Sequence, residues 1–141
     1  MRAIIAVNNL GYIGLNNELP WKCSEDLKHF KNLTENHIML VGKNTFKTLP
    51  EIVKKRKIVV DYREVLYHST YPQLNLEGDY EYIPYICIGG KVTYEKYCHL
   101  FTELHISHID NNTIGDIMFP NFSNLNKDCK IFNYYFKEDI I

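Results

Sequence analysis

Residues 3–31 read AIIAVNNLGYIGLNNELPWKCSEDLKHFK, an apolar run, a long polar loop and a helical repeat in succession. The nearly continuous apolar run Ala3 to Val7 predicts a strand that is covered on both faces. Asn8 to Cys23 predicts a loop, and loops of this length inside a compact domain are usually functional. Ser24 is a plausible N-cap of a helix that continues to about Thr34. A buried strand, a functional loop and a helix begin the chain.

Short β-rich runs and helical segments alternate along the rest of the chain, which favours an α/β fold. The predicted strands are Ile38 to Val41, Ile58 to Val60, Tyr85 to Ile88, Leu104 to Ile109 and Lys130 to Lys137. The predicted helices are Asn44 to Leu49 and Val92 to Phe101. The stretch from Glu64 to Pro84 reads as loop, with one strand near Val65 to His68. The 141 residues suit one domain, 1–141, with no linker or repeat.

Composition and charge narrow the functional classes. Formal net charge is −1, and the basic residues are scattered except for the run Lys54 to Lys57. We therefore expect no nucleic-acid partner and a small-molecule ligand instead. The N-terminus becomes polar at Asn8, and no apolar stretch approaches the roughly 20 residues of a membrane span. We expect no membrane association, a cytoplasmic location and a monomer.

Asp26 is a candidate binding residue. It precedes Phe30 by one helical turn and Leu33 by two, so these three positions share a face. An acid in the first turn of a helix is more often a solvated residue that stabilises the helix dipole, a role that Glu25 already fills. A carboxylate on an apolar face needs a partner, and a ligand with N–H donors would supply one.

Two strand-to-helix junctions contain glycine, Val41-Gly42-Lys43-Asn44-Thr45 and Ile88-Gly89-Gly90-Lys91-Val92-Thr93. Glycine allows close approach of backbone to a ligand, and free N–H groups at a helix start attract phosphate. A glycine at the start of a helix usually marks only a turn and not a ligand-binding site. Neither junction matches a Walker A loop or a Rossmann fingerprint. Two such junctions suit a dinucleotide that is held by another architecture.

Histidines and cysteines receive no chemical role. His105 and His108 lie three apart on a predicted strand and point to opposite faces, so they cannot chelate a metal together. The four cysteines show no C-x-x-C spacing, and we expect packed thiols. We predict no metal site, and spacing indicates no Ser/His/Asp or Cys/His nucleophile.

Several motifs together resemble the dihydrofolate reductase family. Ile13-Gly14, Leu19-Pro20-Trp21, Asp26-Leu27 and Phe30-Lys31 resemble its first signature. Gly42-Lys43 with Thr45-Phe46, Arg56 to Val60, and Ile88-Gly89-Gly90 with Tyr94 resemble its later turns and strands. Ser107-His108-Ile109, Gly115-Asp116 and Phe119-Pro120 resemble the strand and loop that follow. The matches run in family order from the start of the chain to Pro120.

The resemblance implies a mixed, mostly parallel central sheet flanked by helices, with a shortened C-terminal hairpin. It implies NADPH-dependent reduction of 7,8-dihydrofolate to tetrahydrofolate, with hydride transfer to pterin C6 and proton transfer to N5. Such a reaction supports one-carbon metabolism and thymidylate synthesis. Two alternatives stay open: a non-catalytic pterin- or nucleotide-binding relative, and a reductase of the riboflavin-pathway type.

The resemblance also implies the site residues. Asp26, Trp21, Leu19 and Ser107 would form the catalytic set. Ile4, Leu27, Phe30, Leu49 and Arg56 would join Asp26 and Ser107 in binding substrate, with Arg56 pairing with the glutamyl carboxylate. The cofactor set would be Ala6, Ile13, Gly14, Gly42, Lys43, Asn44, Thr45, Tyr62, Arg63, Ile88, Gly89, Gly90, Lys91, Val92, Thr93 and Tyr94. Val92 and Tyr62 depart from the family pattern, which leaves the preference for NADPH over NADH open.

Overall fold

The computed structural model describes residues 1–61, 70–74 and 80–140. The chain begins with strand β1 (Arg2–Asn8), whose residues alternate between two apolar layers because successive side chains point to opposite faces. Ala3, Ile5 and Val7 pack on one side of the sheet and Ile4 on the other. The apolar run at the start of the sequence is therefore a central strand that is covered by apolar side chains on both faces, as predicted.

The remaining elements follow in chain order. The strands are β2 (Tyr12–Gly14), β3 (Ile38–Gly42), β4 (Ile58–Asp61), β5 (Thr70–Leu74), β6 (Tyr80–Gly89), β7 (Glu103–Asp110), β8 (Ile117–Met118) and β9 (Lys130–Lys137). The helices are α1 (Ser24–Thr34), α2 (Lys43–Thr48), α3 (Glu51–Lys54) and α4 (Lys91–Tyr97), and a 3-10 turn (Cys98–Leu100) extends α4.

The central sheet has the order β4-β3-β6-β1-β7-β9, and each of these neighbouring pairs is parallel. Strand β5 pairs antiparallel with β6, so the sheet is mixed and mostly parallel, as predicted. One face packs against Tyr94 and Tyr97 of α4 and against Phe101, which follows the 3-10 turn. The other face packs against Phe30 and Leu33 of α1 and Phe46 of α2. Helices on both faces bring the loops that follow the parallel strands to one edge of the sheet.

Two sequence predictions about the loops are wrong. The stretch from 64 to 84 contains β5 and the first part of β6, which support each other as an antiparallel pair. The predicted strand near Val65 to His68 falls at 62–69, outside the described residues. The loop from Asn8 to Cys23 contains β2, which pairs with β8 about 100 residues later. The partner of β2 is distant in sequence, so local pattern could not reveal that pairing, whereas β5 and β6 are consecutive strands whose pairing the pattern did not indicate.

The start of α1 also differs from prediction. Cys23, with an extended backbone, is the N-cap, and Ser24 is the first helical residue. Its N–H and hydroxyl donate to the Asp139 carboxylate at 2.9 Å and 2.8 Å. Asp139, from the far end of the chain, thus accepts the N–H of the first helical residue, which local sequence could not indicate.

The prediction of a shortened C-terminal hairpin is wrong as well. Strand β9 is a single strand, parallel to β7 over the whole register from Glu103↔Lys130 to Asp110↔Lys137. A hairpin needs two antiparallel strands, and residues 111–129 include only the two-residue β8, which pairs with β2. The helix predicted from Val92 to Phe101 is shorter, because the 3-10 turn replaces its last part.

Candidate active site

A cavity of about 430 Å³ opens where the loops after β1 and β3 meet helix α1. Its walls are mainly apolar, and we call it the site cavity. Residues from β1, the loop after it, α1, the α2–α3 region, β6, the start of α4, β7 and β8 line it, namely Ile4, Ile5, Ala6, Ile13, Gly14, Asn17, Glu18, Leu19, Asp26, Leu27, Phe30, Thr45, Thr48, Leu49, Pro50, Val53, Ile88, Gly90, Lys91, Tyr94, Ser107 and Ile117. An apolar cavity with few polar groups is typical of a small-molecule site.

Asp26 is the acid of the site cavity. Its side chain is 7% exposed, because α1 turns this position towards the sheet. Burial raises the pKa of Asp26, and the Ser107 hydroxyl and the nearby His29 imidazole oppose the rise. Asp26 is therefore a buried carboxylate and not a solvated first-turn acid, which confirms the interpretation of its helical position.

Ser107 stands on β7 opposite Asp26 and is fully buried. Its hydroxyl lies close enough to lower the pKa of the Asp26 carboxyl group, although no hydrogen bond of standard geometry joins the two. The buried Nε1 of Trp21 and Nε2 of His29 also have no hydrogen-bond partner among the described residues. Buried polar atoms without partners are uncommon in folded proteins, and a ligand or ordered water is one way of satisfying them.

The two glycine junctions lie against each other. A Cβ at Gly42 would meet Thr93 Oγ1 at 2.5 Å, and one at Gly90 would meet Thr45 Oγ1 at 2.7 Å. Gly89 has a φ of +110°, in the region that favours glycine. The hydroxyl of Tyr94 donates to the Ile4 carbonyl at 2.6 Å, which ties α4 to β1 beneath the junctions. The two turns therefore pack tightly against each other, and Gly90 and Thr45 line the cavity beside them.

The loop after β1 is anchored over the cavity. Asn8 Oδ1 accepts hydrogen bonds from the N–H groups of Leu10 and Tyr12 at 3.1 Å and 2.9 Å. Asn8 Nδ2 donates to the Thr113 carbonyl at 2.7 Å. Further along, the Asn16 N–H donates to Asp116 Oδ2 at 3.0 Å. Two distant loops thus hold each other above Asp26.

Several predicted site residues do not line the cavity. Trp21 is buried beneath it, packed with Cys23 and Ile109. Arg56 Nη1 donates to Thr34 Oγ1 at 2.9 Å, beyond the far end of α1. The others that do not line it belong to the glycine junctions: Gly42, Lys43, Asn44, Gly89, Val92 and Thr93. Tyr62 and Arg63 lie outside the described residues.

Sequence reasoning missed some lining residues. Thr48, Pro50 and Val53 come from α2, α3 and their connection, and Ile117 comes from β8. The helical spacing of Thr45, Thr48 and Leu49 is a signal that could have found Thr48. Ile117 had no local signal, because its place depends on the pairing of β8 with β2.

A second, open depression of about 740 Å³ lies at the opposite edge of the sheet. Its charged groups satisfy one another: Arg2 Nε donates to Glu103 Oε2 at 2.8 Å, and Arg2 Nη1 lies 3.2 Å from His37 Nε2. Among the described residues, no group of three or more His, Cys, Asp or Glu side chains could hold a metal ion. The site cavity is thus the better candidate.

Comparison with known proteins agrees with this geometry. The family model described as dihydrofolate reductase matches residues 1–132. The chain belongs to the dihydrofolate reductase family. Dihydrofolate reductase type 9 of Escherichia coli is 35% identical over 130 residues, covering 82% of this chain and 73% of the relative. The Mycoplasma genitalium dihydrofolate reductase is 32% identical over 131 residues, covering 81% and 79%.

A solved structure shares the fold of this dihydrofolate reductase family member. The Enterococcus faecalis dihydrofolate reductase, complexed with NADP(H) and RAB-propyl, matches with a TM-score of 0.62 and 24% identity. The match covers 86% of this chain and 77% of the other.

Among the described residues, no helix is long and apolar enough to cross a membrane.

Proposed function

We propose that the chain reduces 7,8-dihydrofolate to tetrahydrofolate with NADPH, as an enzyme of one-carbon metabolism. The observation that supports this most is the Asp26 carboxylate, buried in an apolar cavity beside Ser107 and within the same cavity as Gly90 and Thr45. The membership in a family of named reductases supports the same reaction. We further propose that the protein acts in the cytoplasm and without a nucleic-acid partner.

Asp26 would orient the pterin. An ionised carboxylate accepts two parallel hydrogen bonds from adjacent N–H groups, and the 2-amino group and ring N–H of a pterin offer that pair. A charge-assisted pair in an apolar cavity also offsets the cost of burying the carboxylate. Ser107 would hold the carboxylate in place, while Ile4 and Leu27 line the pterin end and Phe30 and Leu49 pack the benzoyl ring.

The fit of NADPH rests on the two glycine junctions. Side chains at Gly42 or Gly90 would collide with Thr93 or Thr45, so glycine allows the two turns to pack this closely beside the cavity. Ala6, Ile13, Gly14, Thr45, Ile88, Gly90, Lys91 and Tyr94 line the cavity and would bind this cofactor. Gly42, Asn44, Gly89, Val92 and Thr93 would complete the turns, with Lys43, Tyr62 and Arg63 near the adenosine phosphate. Bound NADPH would supply the hydride that reaches C6 of the pterin.

The proton for N5 would come from water. The titratable residues that line the cavity are Glu18, Asp26, Lys91 and Tyr94, and we assign the proton to water and not to any of them. Water admitted beneath the loop with Leu19 and Trp21 would reach N5, and the negative charge of Asp26 would raise the basicity of the ring. The protein thus orients the reactants and excludes bulk water.

One assay tests the proposal. Purified chain with NADPH should lose absorbance at the NADPH band when dihydrofolate is added, and Asp26→Asn should lose most of that rate. Binding of both ligands without turnover would indicate the non-catalytic relative. Oxidation of NADPH only with a riboflavin-pathway pyrimidine would indicate the other reductase class.

A further inference from the structure

Asp61 and Lys96 form an ion pair between the central sheet and α4. Asp61 is the last residue of β4, and Lys96 Nζ lies 3.3 Å and 3.0 Å from its two carboxylate oxygens. The Asp61 side chain is 8% exposed and the Lys96 side chain 30%. Lys96 Nζ also lies 5.1 Å from the centre of the buried Tyr97 ring. A carboxylate this deeply buried is stable only with such a partner, and the lysine is the member of the pair that is turned more towards solvent.

This ion pair lies beside the first glycine junction. Asp61 is directly opposite Gly42 in the parallel register of β3 and β4, so both positions point to the same face of the sheet. A Cβ at Gly42 would meet Thr93 Oγ1 of α4 at 2.5 Å, which shows that this face is the one that α4 covers. Thr93 and Lys96 are three residues apart and share a face of that helix. The glycine, the threonine and the ion pair are therefore neighbours.

The order of the strands gives the path of an extended dinucleotide. The parallel strands β1, β6, β3 and β4 are successive neighbours, so their carboxyl ends form one row. Ala6 near the end of β1 and Gly90 after β6 line the site cavity. Neighbouring strands are about 4.8 Å apart, so Asp61 lies three strands, or about 14 Å, from β1. A cofactor with its nicotinamide in the cavity would carry its adenosine past Gly42 to this ion pair.

We propose that Asp61 and Lys96 set the cofactor preference of this chain, by contacting the 2′ position of the adenosine ribose. The inference rests on the proposed function, which places a dinucleotide across the two junctions. A carboxylate accepts a hydrogen bond from the 2′-hydroxyl of NADH and repels the 2′-phosphate of NADPH. An ammonium attracts that phosphate. Because the two charges act in opposite directions, the preference for NADPH is modest, and each residue controls it separately.

Lys96 supplies a positive charge that Val92 does not. Val92 is apolar and exposed, and it lies four residues before Lys96 on the same face of α4. Burial lowers the pKa of Lys96, but hydrogen bonds with Asp61 and Tyr97 outweigh this effect and raise it overall. The ammonium is therefore charged at neutral pH, one helical turn beyond the exposed valine.

Titration with cofactor in the absence of substrate tests the inference. Calorimetry with NADPH and with NADH gives two Kd values, and their ratio is the preference. Lys96→Gln should lower the preference for NADPH about tenfold, and Asp61→Asn should raise it about tenfold, since each removes one charge close to the 2′ position. The double variant should return close to the ratio of the parent, because both charges are then absent.

Two adenosine nucleotides locate the effect on the cofactor. Adenosine 2′,5′-bisphosphate carries the 2′-phosphate without the nicotinamide, and adenosine 5′-monophosphate lacks it. Lys96→Gln should weaken binding of the bisphosphate about tenfold and leave the affinity for the monophosphate unchanged. An equal loss for both nucleotides would overturn the assignment to the 2′ position.

Lys54→Gln is the matched control. Lys54 of α3 also pairs with an acid, Glu51, at 3.5 Å, and lies 5.3 Å from the centre of the Phe46 ring. Its variant should keep the ratio of the parent. An ion pair with a purely structural role would change both affinities equally, so an unchanged ratio in Lys96→Gln and Asp61→Asn overturns the inference. Failure to bind either dinucleotide overturns the proposed function with it. Binding with the expected ratios but without reduction of dihydrofolate would contradict only the proposed function.

Discussion

At the scale of the residue, the interplay of burial and charge around Asp26 sets the chemistry. The carboxyl group is buried, and its pKa is raised by that burial while Ser107 and His29 act in the opposite direction. A ligand with paired N–H donors would stabilise the charged form that the apolar walls disfavour. In the proposed reaction, the pterin would be that ligand.

Asp26→Asn should leave the fold intact and reduce turnover. An amide fills nearly the same volume but cannot accept from two donors, so both binding and the hydride step weaken. Positioned acid–base groups are worth about 10²- to 10⁴-fold, and we expect a loss in that range near neutral pH. Part of the rate should return as pH falls, because the substrate then arrives protonated. Single-turnover NADPH oxidation across pH measures both effects.

Glu25→Gln is the control for that variant, because it removes a charge from the exposed neighbour in the same helical turn. It should retain the rate of the parent. If folded Asp26→Asn reacts like the parent at every pH, Asp26 does not anchor the pterin.

Arg56 is the predicted partner of the glutamyl carboxylate. Its bond to Thr34 holds one side of the guanidinium and leaves its other donors for a ligand. Lysine keeps the charge but not the planar fork, so Arg56→Lys should raise KM for dihydrofolate about tenfold with a smaller change in kcat. Dihydropteroate, which lacks the glutamyl tail, is the control substrate, and its KM should not change. An equal rise for both substrates would remove Arg56 from tail recognition.

At the scale of the element, local pattern predicted what depends on near neighbours in sequence. The run Ala3 to Val7 and the glycines of both junctions indicated β1 and the turns, because these need only short-range information. The pairing of β2 with β8, and the cap that Asp139 provides for α1, depend on distant partners. The same limit hid the parallel course of β9 and the place of Ile117 in the cavity.

Contact between the two glycine turns is testable by a double-mutant cycle. Gly42→Ala introduces a Cβ against Thr93 Oγ1, and overpacking of this kind costs about 1–3 kcal/mol of unfolding free energy. Thr93→Ala removes the colliding oxygen. Its cost in unfolding free energy should therefore be smaller in the Gly42→Ala background than in the parent. Denaturant unfolding of the four proteins gives the coupling energy. Additive losses would mean that the turns do not touch.

Asp139 joins the C-terminal residues to the start of α1. The hydrogen bonds from Ser24 lower the pKa of Asp139, so its stabilising effect is present above its ordinary pKa of 3.8 and is lost as pH falls through the lower folded value. Asp139→Ala should therefore lower Tm at neutral pH, and the difference from the parent should shrink in strong acid. Asp128→Ala, at another exposed acid, is the control. A constant difference at all pH values would rule out the carboxylate as the cause.

At the scale of the whole molecule, His29 of α1 and His105 of β7 place their rings where the helix meets the sheet. The ring of His29 lies 4.1 Å from that of Tyr134, centroid to centroid. His105 Nδ1 lies 2.9 Å from the Tyr134 hydroxyl, and His105 Nε2 lies 3.0 Å from Glu103 Oε1. Burial lowers the pKa of His29 and, despite Glu103, that of His105. The folded protein therefore holds both rings in the neutral form more strongly than the unfolded chain does.

This arrangement predicts acid sensitivity of the whole fold. A histidine whose folded pKa is lowered contributes stability that is fully present above the ordinary value of 6.5 and is lost as pH falls towards the folded value. Tm should therefore fall between about pH 7 and pH 5, the range just below the ordinary histidine pKa. Asp26 acts with the opposite sign, because its raised pKa favours the folded state as the carboxyl group takes up a proton.

Replacing both imidazoles should make the decline shallower. Glutamine keeps a polar side chain but does not titrate, so His29→Gln with His105→Gln should have a flatter dependence of Tm on pH in that range, even if its Tm at pH 7 is lower. His99→Gln, at an exposed histidine, should keep the slope of the parent. Thermal unfolding at matched ionic strength gives the slopes. A parent-like slope in the double variant would show that other groups make the fold sensitive to acid.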